Sequence, residues 1–331
     1  MDGGRHGAKA AWLVAASIAF LALALPGCLS RPKEPLRIGV NAWPPFELLY
    51  LARSRGYFEA EHVDVDLVDF STYTGILKSY HRGNIDGFLA TLNEVQIADN
   101  FQDPPAVVLV VDYSFGGDAL VVSDGIGDLK GLRGKRIAYE ESALGSYELE
   151  RILEIGGLAP GEIKAVSRLP AEAEEDFRKG TVQGVITYEP SLGRLLHHRG
   201  ARVLFSSREI PGEIVDVMAM RRSVLDGRAE EMRRALRAWF RAVEDLREHP
   251  EEVAAQMARQ RHATIEEYVR GLQGARIPDL SENRALLGRG PSPGTLHATS
   301  DRLAEFLLRH RLTGKALSGP ELIRSDLLDA M

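Results

Sequence analysis

The chain has a single cysteine, Cys28, directly behind a short apolar run, and that placement limits how the rest can be held together. Arg5 and Lys9 come first, then an apolar stretch over residues 11–25 (AWLVAASIAFLALAL), then the small residue Gly27. A positive start, an apolar core too short to span a bilayer comfortably and a small residue at the cut form the layout of a secretory signal. The body beyond is read as exported, and it carries no cysteine of its own. No disulfide can staple it, so burial must hold it. A body running from Leu36 to Met331 is long enough for that, as two lobes of ordinary domain size.

The residues Leu25-Pro26-Gly27-Cys28 resemble a bacterial lipobox, although Pro26 departs from the small residues usual at its place. The resemblance implies a signal peptide over residues 1–27 and a lipid on Cys28, which becomes the first mature residue. Residues 28–35 then form an extended tether, polar and broken by Pro32 and Pro35. No second apolar run approaches the roughly 20 residues of a membrane span, so the lipid is the expected anchor of an extracytoplasmic protein. An ordinary cleaved signal with an incidental cysteine is the alternative. The formal charge is −6, and the leader takes away one net positive charge. A mildly acidic body lacks the basic face that phosphate neutralisation needs, which excludes nucleic acid as an expected partner.

Short apolar runs alternate with helical patterns, the mark of βαβ units and a mostly parallel sheet. Strands are expected at residues 36–40, 63–70, 85–91 and 107–111, then at 136–139, 163–169, 182–187 and 202–205. Helices are expected at 47–60, 74–82, 146–155, 172–179 and 191–199. Arg82-Gly83-Asn84-Ile85-Asp86-Gly87 in the first half matches Lys179-Gly180-Thr181-Val182-Gln183-Gly184 in the second. In both, a cation and a glycine close a helix and a second glycine enters the next strand, which suggests two similar lobes. From Ser223 the pattern turns helical, and Met232, Leu236, Trp239, Phe240, Val243 and Leu246 recur at helical spacing. Trp239 is therefore read as core.

Several stretches together resemble the substrate-binding proteins of ABC importers in the nitrate, sulfonate and taurine group, which includes thiamine-pyrimidine binders. They include LRIGVNAWPP at residues 36–45, RGNIDGFLAT at 82–91, DYSFGGDALVV at 112–122, DLKGLRGKRIAYEESALGS at 128–146 and GTVQGVITYEP at 180–190. The resemblance implies an α/β chain with the two-lobed periplasmic-binding-protein fold (type II), two crossing hinge strands and a helical C-terminal tail. Lobe 1 would be residues 36–117 plus 216–331 and lobe 2 residues 118–215, with crossings near 115–122 and 210–218. It further implies a small-molecule ligand, a permease with its ATPase subunit, a monomeric state, and no cofactor.

In open α/β sheets, ligands sit outside the carboxyl ends of strands, and that rule nominates residues independently of the resemblance. Asn41 and Trp43 follow the first strand, ahead of two prolines; Trp43 offers a flat face and one N–H, or packs under its loop. Ser71, Thr72 and Tyr73 follow the second strand, and Thr91 and Asn93 the third; capping alone would explain Thr72. Asp112, Tyr113 and Ser114 lead into Gly116-Gly117 at the expected hinge. In the second lobe, Ser142, Gly145 and Ser146 open a helix whose free N–H groups suit an anionic or strongly polar ligand end. Tyr188 and Glu189 end a strand, and Asp216 lies on the returning crossing. Aromatic faces with carboxylates suit a cation or an N–H-bearing ring, so an aminosulfonate or a pyrimidine is expected over bare nitrate.

Catalysis is the competing class. The enzymes of similar architecture, thiamine-pyrimidine synthases and porphyrin-precursor deaminases, depend on cysteine chemistry in the members compared, and Cys28 is assigned to the lipid. No nucleophile–base pair stands out, so no catalytic residue is named. The segment GLRGKR at 131–136 lacks phosphate-loop spacing, and His197-His198 face different ways on a helix, so no metal site is expected. A ligand-sensing accessory lipoprotein would have the same two lobes.

Overall fold

Aliphatic runs form strands in this chain wherever both faces become covered. β1 (Leu36–Val40) and β3 (Gly87–Thr91) are almost wholly buried, whereas β2 (Val65–Asp69) alternates at its start, with Val65 and Leu67 inward and Asp66 outward as befits a sheet edge. The computed structural model describes residues 34–98, 103–261, 263–288 and 294–331. The expected signal peptide, Cys28 and the tether as far as residue 33 lie outside the described residues. No helix among the described residues is long and apolar enough to cross a membrane.

The remaining strands are β4 (Pro105–Ser114), β5 (Asp118–Val122), β6 (Arg136–Tyr139), β7 (Lys164–Ser167), β8 (Gly184–Tyr188), β9 (Arg202–Ser206), β10 (Val215–Arg221) and β11 (Ala275–Arg276). They make two sheets, ordered β11-β4-β10-β3-β1-β2 and β7-β6-β8-β5-β9. The expectation of mostly parallel sheets holds only for β2-β1-β3 and β7-β6-β8. β10 runs antiparallel between β3 and β4, and β5 antiparallel between β8 and β9. The cause is topological: strands that arrive from the other lobe have no helical crossover to force parallel entry. This is a two-lobed α/β fold of the periplasmic-binding-protein kind.

The first crossing is shorter than expected, and the second begins earlier in the chain than expected. The chain leaves the first sheet after Ser114 and enters the second at Asp118, then returns between Ser206 and Val215. The crossings touch, since the Ser114 and Ser207 hydroxyls share a hydrogen bond of 2.8 Å and Gly116 N–H donates to the Ser207 hydroxyl at 2.6 Å.

Local chemistry accounts for most boundary differences. Gly56, at φ 71°, interrupts the expected 47–60 helix into Leu48–Ser54 and Tyr57–Ala60. The second-lobe helix begins at Ala143 and runs to Gly156, because the Ser142 side chain caps it by accepting from Gly145 N–H at 3.1 Å. Gly83 and Gly180 both sit just past a helix with φ of 77° and 69°, so the internal match is a shared left-handed helix exit.

The long helix Arg222–Glu248 lays Met232, Leu236, Trp239 and Val243 against the first lobe, and Trp239 is fully buried as read from sequence. Further along, Asn283 repairs the first sheet where β11 is too short to cover β4. Its Oδ1 accepts from Val110 N–H at 2.8 Å and its Nδ2 donates to Val110 O at 3.1 Å. Left unpaired, those two buried backbone groups would cost about 1–3 kcal/mol each.

Candidate functional site

The carboxyl end of the first sheet presents a row of polar residues from three adjacent strands. Asp216 on β10 lies opposite Thr91 on β3 and opposite Asp112 on β4. Directly opposed residues share a face, so Thr91, Asp216 and Asp112 stand side by side. All three are buried. Trp43 lies over this row, since its Nε1–H donates to Asp112 Oδ2 at 3.0 Å while its backbone N–H is held by Asn41 Oδ1 at 3.2 Å. It fits because Gly117 has no side chain: a Cβ there would stand 2.3 Å from the indole and 2.9 Å from Gly274 O. The hinge glycine is thus a packing requirement of the cleft.

Lobe 2 supplies the opposing wall. Asp118 opens β5 directly opposite Tyr188 on β8. The Tyr188 ring stands edge-on to Trp43 and tilted to Tyr73, at 6.3 Å between centroids in each case. Two aromatic rings from one lobe and one from the other therefore frame the acids. Glu140 follows β6 and Glu148 lies on the buried face of the helix Ala143–Gly156, with Glu94 reaching in from lobe 1.

The electrostatics of this cluster are unusual for a protein interior. Asp112, Asp118, Asp216, Glu94, Glu140 and Glu148 are each 9% exposed or less, and no Lys, Arg or His ion-pairs with any of them among the described residues. Burial without a cation pushes all six upward. For Asp118 the result is about 7, from desolvation with Glu189 adding to it and the Ser114 hydroxyl opposing. Glu140 also reaches about 7, from desolvation and then the charge of Glu94. Glu148 is driven well up by burial and then by Asp118 and Glu140. Asp112 and Asp216 act as a pair: burial raises both, and Asp216 is held well up by Asp112 and then Asp118. Two carboxyls so placed cannot both ionise cheaply, so the pair holds a proton in the ligand-free protein.

The structure brings together Asn41, Trp43, Tyr73, Thr91, Asp112, Ser114, Tyr188 and Asp216, and sets other nominated residues to different work. Thr72 caps its helix through Gly75 N–H at 3.1 Å, and Ser71 is exposed. Asn93 is fully buried, and neither atom of its amide has a hydrogen-bond partner among the described residues. Tyr113 is a correction, because strand alternation turns it away from Asp112 and Ser114. It pairs with Arg276 on β11 and lines a separate cavity of about 730 Å³ with Phe115 and Pro211. Glu189 accepts from Gly193 N–H at 3.1 Å and ion-pairs with Arg270 at 3.1 Å, which sets it apart from the acids that have no basic partner. Ser142 caps its own helix; Gly145 is obligatory there, since a Cβ would stand 2.1 Å from Glu140 O; Ser146 is half-buried one residue beyond.

Sequence reading missed Glu94, Glu140 and Glu148 and passed over Asp118. Glu148 had a signal, for Leu144, Glu148 and Ile152 share one helical stripe on which the outer two are core. Glu140 had a weaker one, as the last residue before the exposed Glu141 at a strand end.

This arrangement can bind a cation or a ring rich in N–H donors, because each buried carboxyl oxygen is an acceptor and the rings offer flat apolar faces. Known proteins share the scaffold. The alkanesulfonate-binding protein SsuA from Xanthomonas axonopodis pv. citri, bound to MOPS, superposes with a TM-score of 0.73 at 18% identity, over 88% of this chain and 99% of that one. The periplasmic aliphatic sulphonate binding protein SsuA from Escherichia coli gives 0.72 at 17% identity, over 90% and 99%. At such identities the likeness is one of fold. Among curated relatives, the 4-amino-5-hydroxymethyl-2-methylpyrimidine phosphate synthase of Schizosaccharomyces pombe is 25% identical over 124 residues, 37% of this chain. The chain spans only 36% of that relative's length in the match. The sequence also matches the family described as NMT1/THI5 like over residues 43–253, well over half its length. On that match, the chain belongs to the NMT1/THI5-like family.

Proposed function

We propose that this chain is the extracytoplasmic substrate-binding component of an ABC importer, tethered through a lipid on Cys28. It captures a small organic ligand between its lobes and hands it to a permease served by an ATPase subunit. The ligand carries cationic or N–H-bearing nitrogen on a flat ring, with a pyrimidine-like compound the leading candidate. The observation that carries this reading is the set of six buried carboxyl groups with no basic partner among the described residues, framed by Trp43, Tyr73 and Tyr188. A buried acid cluster is costly alone and favourable around a cation. A nitrate or a sulfonate would add negative charge to it.

The partial match to a pyrimidine phosphate synthase supports the ring and keeps a second reading in view, an enzyme acting on the same class of compound. Turnover of a bound pyrimidine would favour that reading.

A thermal-unfolding panel on the mature protein separates the ligand classes, using aminopyrimidines, taurine, alkanesulfonates, nitrate and bicarbonate. A ligand at 100 times its Kd adds about 2.7 kcal/mol. At roughly 2–4 °C per kcal/mol this is readily seen. The expected result is stabilisation by aminopyrimidines and none by nitrate, bicarbonate or alkanesulfonates. Stabilisation by those anions alone would overturn the nitrogenous ligand and leave the importer role standing.

A further inference from the structure

The helix that opens at Ala143 has the free N–H groups and the dipole that draw an anion, and the anion it finds belongs to the protein. Glu94, on the helix Leu92–Ile97 of the opposite lobe, accepts from Leu144 N–H at 3.0 Å. Ala143 N–H and Ser142 also act on the same carboxyl. The pattern recurs in reverse across the cleft. Tyr73 N–H, at the first position of the helix Tyr73–His81, donates to Glu140 Oε1 at 3.2 Å.

Close to Glu94 in the chain are buried polar groups with no present use. Asn93 is 0% exposed with both amide atoms unpartnered, and the Thr91 hydroxyl, on a residue 1% exposed, is likewise unpartnered among the described residues. A helix start with free N–H groups is what a small oxyanion needs; here a carboxylate already fills it.

We propose that Glu94 is a specificity-determining residue, an internal anion that occupies the lobe 2 helix start when the lobes meet and denies that position to anionic ligands. The inference rests on the nitrogenous-ligand reading, and it explains how a fold shared with sulfonate binders would be turned against sulfonates without changing its backbone. The Glu140–Tyr73 contact does the same for the facing helix. Each contact also joins the lobes, so exclusion and closure use the same atoms.

The test uses nitrate and methanesulfonate as probes on the mature protein, with thermal unfolding and calorimetric titration of the parent, Glu94→Ala and Glu94→Asp. The parent is expected to show no saturable response to either anion. Glu94→Ala vacates the position and gains saturable binding, at least tenfold tighter than any parental response. Glu94→Asp keeps the charge and gains none. A folded Glu94→Ala protein without an anion response overturns the role of Glu94, even where the parent binds an aminopyrimidine. An anion response in the parent itself overturns the nitrogenous-ligand reading and the role of Glu94 with it. Should Glu94→Ala fail to fold, Glu94→Ser, whose short side chain also withdraws from Leu144 N–H, carries the same expectation, and its silence overturns the proposal equally.

Discussion

Replacing Asp216 by asparagine is expected to make the ligand-free protein more stable at pH 8 while weakening ligand binding about 100-fold or more. Asp216 and Asp112 face each other across β10 and β4, both buried, with Asp118 the next source of negative charge. An amide of the same shape removes one member of a repelling pair and needs no proton to stay neutral, which is worth about 1–3 kcal/mol on the scale of buried unpaired polar groups. The same change removes an acceptor for the ligand's nitrogen, and losing one side of a buried charged pair typically costs about 2–5 kcal/mol of binding. Opposite signs are the signature of a site held in a strained state for its ligand. Urea unfolding and calorimetric titration of Asp216→Asn read the two effects. Loss of both stability and binding would make Asp216 a structural residue, and unchanged affinity would remove it from the site.

A second large effect is expected from pH alone. Asp118 and Glu140 are raised to about 7 in the folded protein, whereas their unfolded-state values are those of ordinary carboxyls. Between pH 5 and pH 8 the folded state therefore binds more protons than the unfolded one, and stability falls as pH rises through that window. Below the ordinary carboxyl range the contribution of these groups is fully present; above about 7 it is gone. Acids whose values are lowered by arginines or helix starts, such as Asp279 and Asp326, act in the opposite sense but only at more acidic pH. The ligand-free Tm is expected to be on the order of 5–10 °C lower at pH 8 than at pH 5. A cationic ligand reverses the trend, because it supplies the charge that protons supplied, so its stabilising effect grows with pH. Thermal scans of the parent and of Asp118→Asn check this. A flat parental profile, or a fall of equal size in the variant, would speak against the acid cluster as its source.

The fold was legible because its largest signals are periodic. Strand-length apolar runs, the paired glycine exits at Gly83 and Gly180, and the helical stripe through Trp239 are all local in sequence and survive tertiary packing. Strand direction was not legible, because β5 and β10 take theirs from the hinge crossings and not from their own residues. At the site, the strand-end rule nominated Trp43, Asp112, Tyr188 and Asp216, which the fold brings to one cleft, but it could not tell which side of β4 faces that cleft, and Tyr113 was lost to that two-residue alternation. Local sequence reading also gave the helix opening near Ser142–Ser146 as an open anion site, since no local rule reveals that Glu94, some fifty residues away, reaches across to its first turn. Contacts between lobes are the part a linear reading reaches least.

The central claim, that a nitrogenous ligand is gripped by the Asp112, Asp118 and Asp216 carboxyls, is tested most directly by a crystal structure of the mature protein with 4-amino-5-hydroxymethyl-2-methylpyrimidine. The expected result places the ring against Trp43, Tyr73 or Tyr188 with its nitrogens within about 3 Å of those carboxyl oxygens, while Glu94 stays on Leu144 N–H. A ligand bound away from the three aspartates, or one that displaces Glu94 to sit on the helix start at Ala143, would contradict it.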